Sequence, residues 1–402
     1  MKKISFLHLT GAPIARDGEI GFTEGGLPHI LSASGELKNE YEIEVICPNL
    51  PGNGGEVSIN HRGVTIVCLG TSSWVKGYSR MPRPSFYRSA YSYIRKSNPH
   101  IVIANNFLAS LLLRPLPRNI ARIGVIHHLY CAHESRRESG SFHSTVRNIA
   151  QFERIAMRFL CLNGIGAISP QVKQALVEEG YPAERIVVVG NGVDPDDYPF
   201  SLRKAPSTLI YVGRLAELKG VRSLIDITSR VRREVDDVRL HIVGGGPKEK
   251  EIKERARTLG LADTVTLHGY LTEREKIDLL LHSSIYVSNS QFEGFGIPLV
   301  EAMATGTVPV VSDIESHRWV FQGERVGYLA KNEEEMADRI THLLKNEVER
   351  RTLARNGRKL VQRAWTLRRV SERYRELLSN SEGKPPERFS SSRSRLSGVV
   401  RQ

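Results

Sequence analysis

Three things are scarce in this chain of 402 residues: cysteines, long apolar runs and, over one long stretch, acidic side chains. The four cysteines show no Cys-x-x-Cys spacing, which argues against a paired-cysteine zinc site and favours a reduced, cytoplasmic protein. The longest apolar runs, such as residues 108–113, are far shorter than the roughly 20 residues that cross a bilayer. We therefore expect a chain that does not span a membrane.

Residues 1–10 carry two lysines and a short apolar run, a combination that a secretory signal also shows. Here the apolar run alternates from Ile4 and Phe6 onward and is too short for a signal. We expect a first strand over residues 3–9 instead.

The acid-free stretch is residues 57–133, which contain no aspartate or glutamate. Its basic residues are Arg62, Lys76, Arg80, Arg83, Arg88, Arg95, Lys96, Arg114, Arg118 and Arg122. Aromatic residues lie among them, at Trp74, Phe86, Tyr87, Tyr91 and Tyr93. Such a surface suits anionic lipid headgroups, a diphosphate-bearing acceptor or nucleic acid. The alternative is the solvated face of a protein whose net charge is +13.

Short β-branched segments alternate with helical patterns along most of the chain, which predicts parallel sheets covered by helices. The first half opens with a strand, a loop containing Gly25 and Gly26, a helix and a second strand. This order is typical of a Rossmann-type unit, in which anions bind at the first loop. A polar, proline-containing linker over residues 191–206 precedes a second series of strands and helices.

The first loop of this second series carries two cations, Arg214 and Lys219, between a strand over residues 208–212 and a helix. Two such side chains can both reach one diphosphate, and the start of the helix adds a favourable dipole. The alternative is a pair of solvated charges.

Residues 290–312 are the segment around which the chain is organised. A turn containing Gly294 and Gly296 leads into an apolar helix over residues 297–305, and a β-branched strand follows. Glycines allow an anion to approach the backbone, and the start of a helix offers free N–H groups. Glu293 before the turn and Glu301 within the helix can face one ligand from two sides, although two solvated glutamates are the simpler interpretation.

This segment, EGFGIPLVE, strongly resembles the Glu-x7-Glu signature of retaining glycosyltransferases of family 4, and the similarity extends over roughly residues 3–379. The resemblance implies the α/β GT-B fold, in which two Rossmann-like domains face each other across a donor/acceptor cleft. It implies an acceptor-side domain over 1–198, a nucleotide-sugar-binding domain over 199–364, and a helix over 365–379 that crosses back to the first domain. Residues 380–402 are poor in apolar side chains and predict a disordered basic tail.

The resemblance also assigns roles to individual residues. Glu293 would hold the sugar ring of the donor, Glu301 its ribose hydroxyls, and His127 would close over the sugar near its reactive end. The remaining donor-binding residues are Gly25, Gly26, Arg214, Lys219, Leu271, Gly294, Phe295, Gly296, Ile297 and Leu299. The cations and backbone amides among them would stabilise the leaving diphosphate.

His127 follows a β-branched strand over residues 123–126, and ligands bind where such strands end in an α/β sheet. Together with His128, Cys131 and His133 it also suggests a metal site, although the spacing matches no standard zinc pattern. GT-B enzymes generally work without a metal, so we predict no metal and no cofactor.

We therefore predict a retaining hexosyltransferase that moves a hexose from a nucleotide sugar to a hydroxyl of a glycan or lipid-linked acceptor. We expect it in the cytoplasm, with peripheral contact at the inner face of an anionic membrane and no nucleic-acid partner. The first domain offers no clear carboxylate nucleophile, and the family is commonly assigned a same-face mechanism in which the departing phosphate helps to deprotonate the acceptor. Two alternatives remain: another GT-B reaction, such as epimerisation or phosphorolysis, and a non-catalytic membrane-surface or nucleotide-binding protein.

Overall fold

The computed structural model describes residues 1–8, 13–16, 19–22, 30, 34, 36–48, 57–61, 63–69, 84–127, 129 and 142–388. The chain divides into two compact units, the first made of Met1–Gly190 and Leu367–Gln402 and the second of Asn191–Thr366. The sequence placed the corresponding boundaries after residues 198 and 364.

The strands of the first unit are β1 (Lys2–Leu7), β2 (Pro13–Arg16), β3 (Glu19–Phe22), β4 (Tyr41–Pro48), β5 (Val57–His61), β6 (Val64–Leu69), β7 (Ile101–Ala104), β8 (Ala121–Ile126), β9 (Cys161–Leu162), β10 (Gly164–Ala167) and β11 (Ile186–Val188). Eight of them form one large sheet, in the order β11-β10-β8-β7-β1-β4-β6-β5. Neighbours in the large sheet are parallel except at its β5 edge, where β5 pairs antiparallel with β6. Strands β2 and β3 form a separate antiparallel pair.

Helices α1 (Pro84–Ser97), α2 (Phe107–Leu111), α3 (Phe142–Met157) and α4 (Pro170–Glu178) belong to the first unit. The C-terminal helix α12 (Leu367–Ser381) also packs there, against β10 and β11. Strand β10 is glycine-rich because the helix approaches it closely: a Cβ on Gly166 would lie 3.0 Å from Leu377 Cδ2. Described structure continues beyond residue 379, since a short strand β18 (Glu387–Arg388) pairs with β9.

The second unit is a Rossmann-like sheet whose six strands are all parallel, in the order β14-β13-β12-β15-β16-β17. The strands are β12 (Thr208–Val212), β13 (Arg239–Val243), β14 (Val265–Gly269), β15 (Ile285–Ser288), β16 (Val308–Ser312) and β17 (Tyr328–Ala330). The helices are α5 (Val221–Val231), α6 (Glu249–Thr258), α7 (Glu273–His282), α8 (Ile297–Thr305), α9 (Glu315–Phe321), α10 (Glu333–Lys345) and α11 (Glu347–Ala364). The chain builds outward from β12 to β14 and then returns to the other side of β12, which creates a topological switch point between β12 and β15.

The core of the second unit covers its sheet on both faces, as the alternating pattern predicts. Leu209 and Tyr211 of β12 pack with Leu224 of α5 and Ile340 of α10 in one apolar cluster. The intervening Ile210 is also fully buried, so both faces of this strand are covered. Continuous burial is what a parallel sheet between two helical layers requires.

Some side chains of the acid-free stretch, residues 57–133, are buried, although its composition suggests a surface. Phe86 and Arg122 are buried, and Arg122 donates to the carbonyl of Leu116. Of the other residues named there, Trp74, Lys76, Arg80, Arg83 and Arg62 lie outside the described residues. Across the described part of the chain, no helix combines the length and apolar character needed to cross a bilayer.

Three aromatic rings fix the turn that precedes α8. Phe295 packs edge-on against Trp319 and Trp365, with ring centroids 5.5 and 5.2 Å apart, and the two tryptophans lie 5.0 Å from each other. Trp365 is fully buried at the end of α11, and its Nε1 donates to the carbonyl of Val320 at 2.9 Å. Such packing anchors an otherwise glycine-rich turn to two helices.

We predict that Trp365→Ala lowers the free energy of unfolding by about 3–5 kcal/mol, because it empties a packed site and leaves the Val320 carbonyl without its donor. Urea denaturation followed by circular dichroism measures the effect. Val348→Ala, at a side chain that is 79% exposed, is the control and should change stability by less than about 0.5 kcal/mol. Equal midpoints for the two variants would show that the aromatic cluster does not stabilise the unit.

Candidate functional site

The candidate site of the second unit lies at its topological switch point. The loop after β12 carries Arg214 and Lys219, and the loop after the neighbouring strand β15 carries Glu293. Parallel strands end at the same edge of a sheet, so both loops emerge side by side. This is the edge at which open α/β sheets bind ligands.

Glu293 is held at both carboxylate oxygens. Lys219 Nζ lies 2.6 Å from Oε2, and the Ser290 hydroxyl donates to Oε1 at 2.7 Å. Burial alone would raise the pKa of Glu293, but the charge of Lys219 and these hydrogen bonds outweigh it, and the pKa lies below its usual value. The side chain is therefore an ionised acceptor with a fixed orientation.

The turn into α8 presents backbone donors. Gly296 adopts a left-handed conformation, with φ of 90°, immediately before the helix. Among the described residues, the amides of Gly294, Phe295, Gly296 and Ile297 donate to no protein acceptor, whereas the Leu299 amide already donates to the Gly296 carbonyl at 3.0 Å. A row of free N–H groups at a helix start is a binding site for an anion.

Arg214 is exposed, and its side chain makes no hydrogen bond or ion pair within the described part of the chain. Its backbone is fixed instead: the Tyr211 hydroxyl donates to the Arg214 carbonyl at 3.0 Å. The backbone of Arg214 is thus held in place, and its guanidinium group is available to an anionic ligand.

Leu271 lies on the loop after β14, beside the glycine-rich loop after β13. The Gly244 amide donates to the Gly269 carbonyl at 2.7 Å, which joins the two loops. Tyr270 between them is 73% exposed, and a Cβ on Gly245 would lie 2.7 Å from its ring. Half-buried Leu271 and this exposed ring offer flat apolar surface at the same sheet edge.

Glu301 lies within α8 and is 6% exposed. Its Oε1 accepts from Lys276 Nζ at 2.9 Å and is 3.2 Å from the Tyr198 hydroxyl. Burial raises the pKa of Glu301 above its usual value, and the charge of Lys276 opposes that rise. The two glutamates of the signature therefore lie in different electrostatic environments.

His127 lies at the switch point of the first unit, where β1, β7 and β8 end. Its Nε2 donates to Asn105 Oδ1 at 2.9 Å, and Asn105 Nδ2 is 3.5 Å from Nδ1 of His8. Because the amide oxygen only accepts, His127 carries a proton on Nε2. Asn105 and His8 are both buried, so this chain of polar groups fixes the orientation of the histidine.

The remaining predicted site residues lie outside the described residues: Gly25, Gly26, His128, Cys131 and His133. Within the described ranges, no group of three or more histidines, cysteines or carboxylates is arranged to hold a metal ion.

His317 is a site residue that the sequence pattern did not identify. It is 1% exposed, and its Nδ1 donates to the Ser312 carbonyl at 2.8 Å. A Cβ on Gly296 would lie 3.8 Å from Nε2 of this ring and 3.9 Å from Glu293 Cγ, so both side chains flank the turn. Burial lowers the pKa of His317, which favours the neutral ring.

Five further residues that contact the predicted site residues, directly or through one another, were not predicted, and for four of them no local motif marks the position. They are His8 and Asn105 in the first unit and Tyr198, Lys276 and Ser290 in the second. Asn105 alone had a usable signal, because it directly follows the predicted strand over residues 101–104.

Two family models match the chain and together cover residues 25–360. Glycosyl transferases group 1 matches residues 195–360, and Glycosyltransferase Family 4 matches residues 25–197. A curated relative, the phosphatidyl-myo-inositol mannosyltransferase of Mycobacterium leprae, is 34% identical over 190 residues, which are 44% of this chain and 49% of the relative. The chain thus spans about half the length of the curated relatives it matches.

Two solved structures resemble the whole fold. Sucrose-phosphate synthase of Thermosynechococcus elongatus aligns with a TM-score of 0.74 at 18% identity and covers 94% of this chain and 100% of its own. The Anabaena protein HepE, solved in complex with UDP-glucose, aligns with a TM-score of 0.71 at 16% identity, over 94% of this chain and 100% of its own. The predicted fold class, an α/β GT-B fold with two Rossmann-like units, is confirmed.

We predict that Lys219→Met destabilises the protein by about 1–3 kcal/mol near pH 7, because Glu293 stays buried without its cation. The folded pKa of Glu293 lies below the usual value, so the stabilisation is present above that value and is lost as the pH falls through the folded pKa. The melting temperatures of variant and wild type should therefore converge as the pH falls through the folded pKa of Glu293. Thermal melting across this range tests the prediction.

The double variant Lys219→Met with Glu293→Gln is the control, since it removes the unpaired charge as well. It should recover part of the lost stability at neutral pH. A single variant as stable as wild type at every pH would contradict the ion pair.

Proposed function

Because the chain belongs to glycosyltransferase family 4, we propose that it transfers a sugar from a nucleotide-sugar donor to a hydroxyl group of an acceptor. The observation that carries the proposal is the arrangement at the switch point of the second unit. Two cations, a row of amides without protein acceptors and a fixed carboxylate lie on loops that leave neighbouring strands. This combination suits a ligand that is an anion at one end and a polyol at the other.

The anionic end would be the donor diphosphate. Negative charge accumulates on it as the glycosidic bond breaks, so donors fixed in advance stabilise the transition state more than the ground state. Arg214 and the amides of residues 294–297 supply such donors. The ammonium group of Lys219 donates one hydrogen bond to Glu293 and a weak one, at 3.5 Å, to the Phe292 carbonyl. Its third N–H can donate to phosphate.

The remaining roles follow the family resemblance. Glu293 accepts hydrogen bonds from the transferred hexose, Glu301 from the ribose, and the backbone near Leu271 contacts the nucleobase. His127 acts beside the reactive end of the sugar. We propose that the reaction retains the anomeric configuration by a same-face route and needs no metal, since cationic side chains and amides neutralise the leaving group.

We propose an acceptor that is a glycan or a lipid-linked molecule, used in the cytoplasm at the inner face of the membrane. One relative is named a phosphatidyl-myo-inositol mannosyltransferase, which indicates a lipid-borne acceptor for that protein. The first unit of this chain offers a surface that suits such an acceptor.

That surface centres on α3. Ile149, Phe152, Ile155 and Phe159 are exposed by 36%, 55%, 58% and 54%, although large apolar side chains are normally covered. Their spacing puts the first three on one face of the helix, and Phe159 follows at its end. An apolar stripe of this kind favours insertion at a membrane interface over a purely electrostatic partner such as nucleic acid.

Exposed cations lie beside the stripe at Arg114 and Arg158, while Arg154 of α3 is paired with Glu179, which follows α4, at 2.7 Å. Among the described residues between 84 and 163 there is one carboxylate, Glu153, and it is buried. The Arg114 guanidinium lies 5.9 Å from the centroid of the Phe159 ring, and the Tyr91 hydroxyl donates to the Pro115 carbonyl at 2.8 Å. These contacts join α3, the segment after α2 and α1 into one basic, apolar surface, which is complementary to anionic lipid.

We predict that the nucleoside diphosphate binds without a metal and that Arg214→Ala and Lys219→Ala each weaken it about tenfold to hundredfold. A thermal-shift screen of UDP, GDP and ADP in EDTA identifies the nucleotide, because a ligand of the folded state raises the melting temperature. Calorimetry then measures the variants against Lys345→Ala, whose ion pair with Glu234 at 2.7 Å lies on the surface.

A transfer assay with the matching nucleotide sugars, also in EDTA, separates the alternatives. Sugar transfer with retained configuration supports the proposal, whereas epimerised donor or phosphorolysis indicates another GT-B reaction. Binding without any turnover indicates a non-catalytic protein. Activity that requires a divalent ion would contradict the metal-independent mechanism.

We predict that the protein co-sediments with phosphatidylcholine vesicles containing phosphatidylglycerol and much less with phosphatidylcholine alone. Phe152→Ser with Ile155→Ser should reduce binding severalfold even at high salt, because it removes the inserting groups, whereas Arg114→Ser with Arg158→Ser should act mainly at low salt. Val348→Ser, at an apolar side chain of the second unit that is 79% exposed, is the control. Equal binding by all variants would exclude α3 as the membrane surface.

A further inference from the structure

The two carboxylate oxygens of Glu301 differ in their hydrogen-bonding partners. Oε1 has two neighbours, Lys276 Nζ at 2.9 Å and the Tyr198 hydroxyl at 3.2 Å. Oε2 is buried and has no hydrogen-bond partner among the described residues. A buried carboxylate oxygen without a donor is unfavourable, so this atom is a natural acceptor for a ligand hydroxyl.

The two neighbours of Oε1 are not equivalent, because a second carboxylate competes for them. Glu273 Oε1 lies 2.7 Å from the Tyr198 hydroxyl and 2.8 Å from Lys276 Nζ. The tyrosine has a single proton, and its shorter contact is with Glu273. Lysine has three protons and can serve both carboxylates at once, so Lys276 is the donor on which Glu301 depends.

Lys276 is itself placed by the start of α7. Thr272 caps this helix, with its hydroxyl accepting from the Glu275 amide while the Glu275 carboxylate accepts from the Thr272 amide at 2.8 Å. This capping box fixes the first turn, and Lys276 follows it directly. Its side chain is only 15% exposed and crosses to α8 rather than extending into solvent.

We propose that Lys276 is a positioning residue for the donor ribose: it occupies Oε1 of Glu301 and thereby leaves Oε2 as the acceptor for a ribose hydroxyl. Tyr198 supports the same orientation to a smaller extent. The inference rests on the proposed function, because it takes the ribose of a nucleoside diphosphate as the ligand of Glu301.

The state of charge of Glu301 depends on the same contact. The groups that face it are Lys276 and Glu273 on α7, Tyr198 before β12 and Tyr286 on β15, while Arg358 on α11 donates to the carbonyls of Tyr198 and Ala304. Burial raises the pKa of Glu301, and Lys276 is the cation that opposes this rise. Without Lys276 the carboxylate takes up a proton at a higher pH and presents a donor where the ribose needs an acceptor.

The test compares binding of UDP with binding of 2′,3′-dideoxy-UDP, using GDP or ADP and its analogue if the ligand screen selects one of those. Wild-type protein should prefer the ribonucleotide by about tenfold or more, because the dideoxy analogue leaves Oε2 unsatisfied. Lys276→Met should lose most of this preference while binding the dideoxy analogue almost as wild type does. Lys276→Arg should keep it, and Tyr198→Phe should reduce it less than Lys276→Met.

A second measurement separates positioning from general loss of structure. In Lys276→Met the preference for the ribonucleotide should return as the pH is raised, whereas damage to the fold would give weak binding at every pH. Lys253→Met, which removes an ion pair with Glu249 on α6, is the control and should match wild type in preference and in melting temperature.

The outcomes distinguish the two proposals. A wild-type preference that persists unchanged in Lys276→Met overturns the positioning role and leaves the donor site intact. A wild-type protein that binds both nucleotides equally, or neither, overturns the assignment of Glu301 to a ribose and the positioning role with it.

Discussion

Parallel strand pairing determines where the polar groups of this protein meet. Both large sheets reverse their strand order at an inner pair, β1 with β7 in the first unit and β12 with β15 in the second. The loops that leave these strands diverge, and the sheet edge between them is open to side chains from both. His8, Asn105 and Lys219 are polar residues that the chain brings to such an edge, and in the second unit a helix start with free amides also favours a bound anion.

Electrostatics then differentiates two residues of the same type. Glu293 has its own lysine, a serine donor and a pKa below the usual value, so it stays ionised. Glu301 shares Lys276 with Glu273, and burial raises its pKa. Because one cation serves two carboxylates, the ionised form of Glu301 is less strongly stabilised than that of Glu293. A bound diol can donate the hydrogen bond that Oε2 of Glu301 lacks among the described residues.

The sequence predicted these elements unevenly, and the reasons are physical. Helix α8 has the predicted bounds and is followed by the predicted strand, β16, because glycines, a proline and a β-branched run mark these elements locally. The edge strand β5 was not predicted, because it alternates over only five residues and is defined by its antiparallel pairing with β6. Tyr198 reaches Glu301 across 103 positions of sequence, and such a contact follows from tertiary packing rather than from any local pattern. The first glycine loop, Gly25 and Gly26, lies outside the described residues.

The two units distribute charge in opposite ways. In the second unit Lys219 and Lys276 each face a carboxylate, so the candidate site offers oriented donors without a large excess of positive charge. In the first unit the one described carboxylate between residues 84 and 163, Glu153, is buried, and Arg114 lies beside an exposed aromatic ring. A compact diphosphate needs a few oriented donors, because its charge is concentrated and its contacts are short. A lipid surface needs many unpaired cations beside apolar groups, because its charge is spread out and screened by salt. Each arrangement therefore fits a ligand that the other would bind poorly.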